Sequence, residues 1–174
     1  MAVADRLVVA VLLAAGAMVL LSGCSPAQVG IVAVSQRDGH LLVAVMRCDD
    51  TALERVAISH AGPLRTDGPR ERVDDARWIT DIDNQDVVVL DTADPGGDWE
   101  VKDALEDLDP RATYSVSAGG DTDHTMGSVG FTTAELDALD DGQWLIGGDR
   151  DSRLETERPT TTDLDALRST FCDQ

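Results

Sequence analysis

The sequence predicts an all-β domain, an antiparallel β-sandwich with short helices and a C-terminal extension packed on it. Three observations carry that expectation. About seven short apolar runs recur down the chain, separated by Gly-, Pro- and Asp-rich turn signals at the spacing of sandwich strands. Several of these runs alternate apolar and polar residues with period two. Hydrophobic residues total 43%, mostly Val, Ala and Leu, which is enough to build one core despite an aromatic content of 3%.

The first element is not part of the sandwich. Leu7 to Leu21 is an uncharged apolar run closed by Leu21-Ser22-Gly23-Cys24. As a helix its 15 residues would span about 22 Å, short of the roughly 30 Å hydrocarbon core, so a secretory leader fits better than a permanent membrane span. The n-region is weakly basic, with Arg6 offset by Asp5. Leu-Ser-Gly-Cys resembles the lipobox of bacterial lipoproteins at all four positions. That resemblance implies cleavage between Gly23 and Cys24 and a diacylglyceryl group on the Cys24 thiol. Two acyl chains anchor stably where one is marginal. The expected organisation is a signal peptide over 1–23, a lipidated tether over 24–28, a sandwich over 29–133, and an extension of the same domain over 134–174. So short a tether would hold the domain within about 15 Å of the bilayer.

The 174-residue chain less a 23-residue leader leaves 151 residues, the size of one domain. Its net charge of −19 belongs wholly to this part, because Asp5 and Arg6 cancel. Such a chain is repelled by nucleic acid and by anionic headgroups, so the lipid alone would provide the membrane contact. With Cys24 assigned to the lipid, Cys48 and Cys172 remain. An even pair in an exported protein is expected to bridge, closing a loop of more than a hundred residues.

Val29 to Ser35 and His40 to Cys48 read as strands joined by a hairpin at Gln36-Arg37-Asp38-Gly39. The second is apolar on both faces and therefore central. Leu53 to His60 alternates more cleanly. Residues 61–75 read as loop from their Gly, Pro and charge. Arg77 to Ile82 is expected as a short edge strand with Trp78 turned inward, and Asp86 to Thr92 as a further strand. After a turn at Asp94-Pro95-Gly96-Gly97, Asp98 is placed to cap a helix carrying Val101, Leu105 and Leu108 at i, i+4 and i+7. Tyr114 to Ala118 and Ser128 to Thr132 read as partner strands around a polar loop over 119–127.

Leu108-Asp-Pro110-Arg-Ala-Thr-Tyr114-Ser-Val116 resembles the L-x-P-x-x-x-Y-x-V segment of fibronectin type III domains. Gly127 to Thr133 is similar to the last strand of that family. The resemblance covers residues 108–133 and implies an immunoglobulin-like sandwich in which Tyr114 makes a tyrosine corner. The second strand lacks the tryptophan usual in that family and ends at Cys48. No Arg-Gly-Asp occurs, so the family's best-known adhesive motif does not transfer.

Beyond the sandwich, Thr132-Thr133-Ala134-Glu135 has capping-box spacing ahead of a short helix. Gln143 to Ile146 reads as an added strand and 147–163 as loop. Leu164, Leu167 and Phe171 stripe a final helix that would lead Cys172 to Cys48, a clasp over the sandwich.

Chemistry-bearing patterns are sparse. His40, His60 and His124 form no H-E-x-x-H, and no G-x-S-x-G is present. Asp81-Ile-Asp83-Asn84-Gln-Asp86 and Asp121-Thr-Asp123 fail the glycine and glutamate positions of an EF-hand. With Asp149-Arg-Asp151, they read as acidic turns in preference to an irregular calcium site. Trp78, Trp99 and Trp144 read as core anchors. No catalytic residue, metal or cofactor is assigned. The expected function is a non-enzymatic binding module, lipid-anchored on the extracytoplasmic face of the membrane, that meets another extracytoplasmic protein or cell-envelope component. The alternative is a small hydrolase or a solute- or cation-binding lipoprotein.

Overall fold

Strands form over the apolar runs as well as over the alternating ones, and the inward-facing side chains of the two sheets meet in one layer between them. The computed structural model describes residues 27–62, 71–120, 124–147 and 160–173. The leader, Cys24 and the Asp121–Asp123 and Asp149–Asp151 clusters lie outside them. The strands are β1 (Ala27–Gln28), β2 (Gly30–Arg37), β3 (His40–Arg47), β4 (Leu53–Ala61), β5 (Arg72–Ile82), β6 (Val87–Asp91), β7 (Glu100–Asp103), β8 (Tyr114–Gly119), β9 (His124–Phe131), β10 (Trp144–Ile146) and β11 (Thr160–Thr161). Two short helices follow β9 and β11: α1 (Thr133–Asp137) and α2 (Leu164–Cys172). One sheet runs β1-β9-β8-β4-β5-β7 and the other β11-β10-β2-β3-β6. All pairings are antiparallel except β1 with β9, which is parallel. The protein is thus an all-β sandwich.

Asp38 and Gly39 turn the β2–β3 hairpin with φ of 53° and 81°, the left-handed pair that a type I′ turn requires. From there the register runs without interruption from Arg37↔His40 to Gly30↔Arg47. Val32, Val34, Leu41, Val43 and Val45 point inward to meet Val56, Ile58, Trp78, Val116 and Phe131 of the facing sheet. Trp78 is fully enclosed, and Trp99 is also buried. The opposite faces of β2 and β3 are apolar too. Ile31, Ala33, Ala44, Met46 and Ile146 form a second buried layer, covered by Leu164, Leu167 and Phe171 of α2. A strand buried on both sides needs no alternation, which is why β3 reads as a continuous apolar run.

Arg47 follows the parity of Leu41, Val43 and Val45, so its side chain closes one end of the inter-sheet core. It is only 2% exposed. Its guanidinium donates to the carbonyls of Thr51, Gln85 and Asp49 at 2.8, 2.9 and 3.3 Å. One buried cation thereby ties together two loops at that end.

The structure corrects four expectations. Residues 98–108 are not helical: Glu100–Asp103 is strand β7, paired with β5 through Trp78↔Val101. Val101 stays exposed on this edge, while Leu105 and Leu108 pack on the core from an extended segment. β5 begins at Arg72, inside the expected loop, and runs eleven residues, flanked by β4 and β7, so it is neither short nor an edge strand. The loop before β9 is shorter than expected, because β9 starts at His124 and buries Met126. Thr160–Thr161 pairs with β10 where only loop was expected. The α1 capping box forms as its spacing requires: Thr132 Oγ1 accepts from the Glu135 N–H, and the Glu135 carboxylate accepts from the Thr132 N–H.

Candidate functional site

The strand directions give the sandwich two unlike poles. The chain enters beside Val29, whose carbonyl accepts from the Cys48 N–H at 2.9 Å. This near pole holds the ends of β3 and β5 and the starts of β4 and β9. The far pole gathers the Asp38-Gly39 turn, the end of β4, the start of β5, the 103–113 segment and α1. Four of the open grooves formed by the described residues lie at the far pole. The largest, about 810 Å³, runs between the β2–β3 turn and residues 137–142, over Leu42 and Trp144. A second, about 560 Å³, separates that turn from Leu105–Leu108 and α1. The third, about 460 Å³, is strongly acidic, lined by Asp74, Asp75, Asp103, Glu106 and Asp107 with Tyr114 at its wall. The fourth, about 380 Å³, lies beside His60, Arg72 and Tyr114.

Between the last two grooves sits a histidine–carboxylate pair made by an irregularity in β5. Ile58 pairs with Ala76 but Ser59 pairs with Asp74, so Asp75 is the extra residue of a β-bulge. A bulge re-aims a side chain. Here it brings both Asp75 oxygens to His60 Nδ1, at 2.7 and 2.9 Å. The His60 ring stands edge-on to Tyr114, centroids 5.7 Å apart, and Tyr114 stacks on Phe131 at 5.6 Å. Tyr114 is 4% exposed, and its hydroxyl oxygen accepts from the Asp109 N–H at 2.7 Å. The bond ties the ring to the backbone five residues upstream. Burial pushes the Tyr114 hydroxyl above its ordinary pKa. The Asp109 bond lowers it, and the nearby Asp75 and Asp109 carboxylates raise it again.

Chemically, His60 and Asp75 supply a base and its orienter. Ser59 is the adjacent hydroxyl, but β4 pairs with β8 in unbroken register through Ser59↔Ser115 and His60↔Tyr114. Consecutive side chains therefore leave opposite faces of β4, which turns Ser59 away from the imidazole. His40 is exposed on the other sheet and His124 opens β9 at the near pole. Among the described residues no group of three or more His, Cys, Asp or Glu is placed to hold a metal ion, and no helix is long and apolar enough to cross a membrane.

The two sheets differ in what covers them. α2 packs on β2 and β3 and covers the outside of the five-stranded sheet, whereas α1 meets β2 at the far pole and sends Leu136 into the core between the sheets. The outside of the six-stranded sheet presents Arg55, Ala57, Arg77, Ser115, Ser117 and Ser128, with Arg77 bridged to Asp103 at 3.4 Å. Cys48 and Cys172 are bonded, with Cα atoms 5.0 Å apart. Beside the disulfide, Arg168 Nε donates to the Arg47 carbonyl at 2.6 Å and its Nη2 lies 3.2 Å from Asp86. Sequence reasoning paired Cys48 with Cys172 but missed Asp75, Arg47 and Arg168. Asp75 stands in a run of charges and Arg47 and Arg168 between neutral neighbours, and neither setting marks the bulge or buried corner that gives each its partner. No protein-family model, curated protein or solved structure matches this chain.

Proposed function

We propose that this protein is a lipid-anchored extracytoplasmic binding module on an immunoglobulin-like, fibronectin type III-like sandwich. Cys24 holds it to the membrane, and its far pole meets a protein or another cell-envelope component. The polarity of the domain carries the reading: among the described residues the N-terminal approach lies at one pole and the four grooves described above open at the other. A tether of a few residues would turn the grooved pole outward. The strand order supports the fold assignment, since β2-β3-β6 and β5-β4-β8-β9 follow the A-B-E and C′-C-F-G arrangement of type III sandwiches, with Tyr114 opening the strand equivalent to F. The carboxylates of the far pole favour a cationic partner surface and disfavour nucleic acid or anionic lipid.

A second reading, a small hydrolase, is favoured by one observation, the His60–Asp75 pair opening beside an acidic groove. The two are separated by capturing the acylated protein from detergent-solubilised membranes and identifying what comes with it. The binding module predicts a reproducible partner that is lost when Asp103, Glu106 and Asp107 are changed together to their amides, and retained in His60→Gln. Absence of any partner, or an intact mass showing Met1 retained and no added acyl chains, overturns the proposal.

A further inference from the structure

We infer that α2 is a disulfide-held cover, and that reduction of Cys48–Cys172 by a dithiol releases it from the sandwich and bares an apolar face without opening the core. The face is built for a cover. Ile31, Ala33, Ala44, Met46 and Ile146 are buried although they lie on the outside of their sheet. Among the described residues Val87, Trp144 and the stripe of α2 pack against them. Leu164, Leu167 and Phe171 are each only half-buried, and no residue of α2 is fully enclosed. At nine residues α2 is far below the roughly 12–15 at which an isolated helix becomes even marginal in water. Its order therefore comes from its attachments: the apolar stripe, the Arg168 contacts with the Arg47 carbonyl and Asp86, and the covalent bond at its last turn.

The core between the sheets contains no residue of α2, so losing the cover removes nothing from that layer. The two cysteines are half-buried at the near pole, within reach of a small reductant. A thiolate of the dithiol bonds to one cystine sulfur as the Cys48–Cys172 bond breaks. Its second thiol then displaces that sulfur and closes into a disulfide. Two electrons and two protons pass to the cysteines, and the dithiol is oxidised.

The experiment uses the oxidised full chain treated with dithiothreitol and reads amide hydrogen exchange with dye binding. Exchange over 164–172 should accelerate at least about tenfold while β2, β3 and β8 keep their protection. Fluorescence of 8-anilinonaphthalene-1-sulfonate should rise as the face is bared. The Cys48→Ser/Cys172→Ser variant should show the same pattern without reductant, and where it fails to fold the reduced native chain carries the test. Unchanged protection of α2 after verified reduction overturns the inference. So does loss of protection in β2 and β3 together with α2, which would make the helix part of the core's cooperative unit.

Discussion

Tyr114→Phe removes one hydroxyl and leaves the ring. Stacking on Phe131 and the edge contact with His60 persist, so nearly all of the effect falls on the Asp109 N–H, which loses its acceptor. Orphaning a buried donor costs about 1–3 kcal/mol. Asp109 is itself exposed and water can reach part of the freed group, which sets the expectation at about 1–2 kcal/mol. With a urea slope of about 2 kcal/mol per molar, the unfolding midpoint should fall by about 0.5–1 M with the slope unchanged. A second readout is available because Tyr114 is the only tyrosine, so tyrosinate absorbance reports this residue alone. Burial raises its folded pKa above the unfolded value of about 10. The stability it contributes is then full below about pH 10 and is lost as pH rises through the folded value. Tyr114→Phe should lack this alkaline loss. A variant midpoint within about 0.1 M of the parent, or a native tyrosinate titration coinciding with that of the unfolded chain, would refute the reasoning.

Other expected outcomes follow from single contacts. Burial pushes the Asp91 carboxyl up, but the Arg37 guanidinium and the N–H groups of Ala93 and Asp94 outweigh it and hold the pKa below its ordinary value. That lowered pKa contributes stability above pH about 4 that disappears as pH falls through the folded value. Arg37→Gln should therefore cost under about 1 kcal/mol at pH 7 and low salt, since Arg37 is exposed, and converge with the parent in acid melts. Arg47→Met leaves three carbonyls without their donor and should cost about 2–4 kcal/mol in urea unfolding. Gly147→Ala drives a methyl into the Ser128 backbone carbonyl, inside van der Waals contact. It should lower the melting temperature by several degrees, corresponding to about 1–3 kcal/mol.

Much of the fold is legible in the sequence where one local signal suffices. Asp38-Gly39 fixes its hairpin because Asp-Gly supplies the left-handed pair of a type I′ turn, and Thr132 with Glu135 fixes the start of α1. The stripe of Leu164, Leu167 and Phe171 announces a helix because three matched positions agree with a nearby cap, Asp163, whose side chain accepts from the Ala166 N–H. Val101, Leu105 and Leu108, at i, i+4 and i+7 behind a cap expected at Asp98, carry an equally helical pattern and mislead. Three positions cannot distinguish a helix from an edge strand followed by an extended segment, and pairing with Trp78's strand decided the outcome. The first half of β5 is illegible for a related reason. Arg72, Val73 and Asp74 are exposed, so no alternation records their pairing with β4. The His60–Asp75 contact depends on one inserted residue in that strand, a feature of register between strands that no short stretch of chain encodes.

The covalent link between Cys48 and Cys172 sets Asp173 beside the strand ends where Val29 enters the domain. A fluorophore or affinity handle fused behind Gln174 would therefore follow the near pole, which is the bilayer side under the proposed anchoring. Inserted instead between Asp38 and Gly39, the same label would stand at the opposite tip and compete with whatever docks there. Placement of the handle decides whether a pull-down reports the free protein or obstructs its own target.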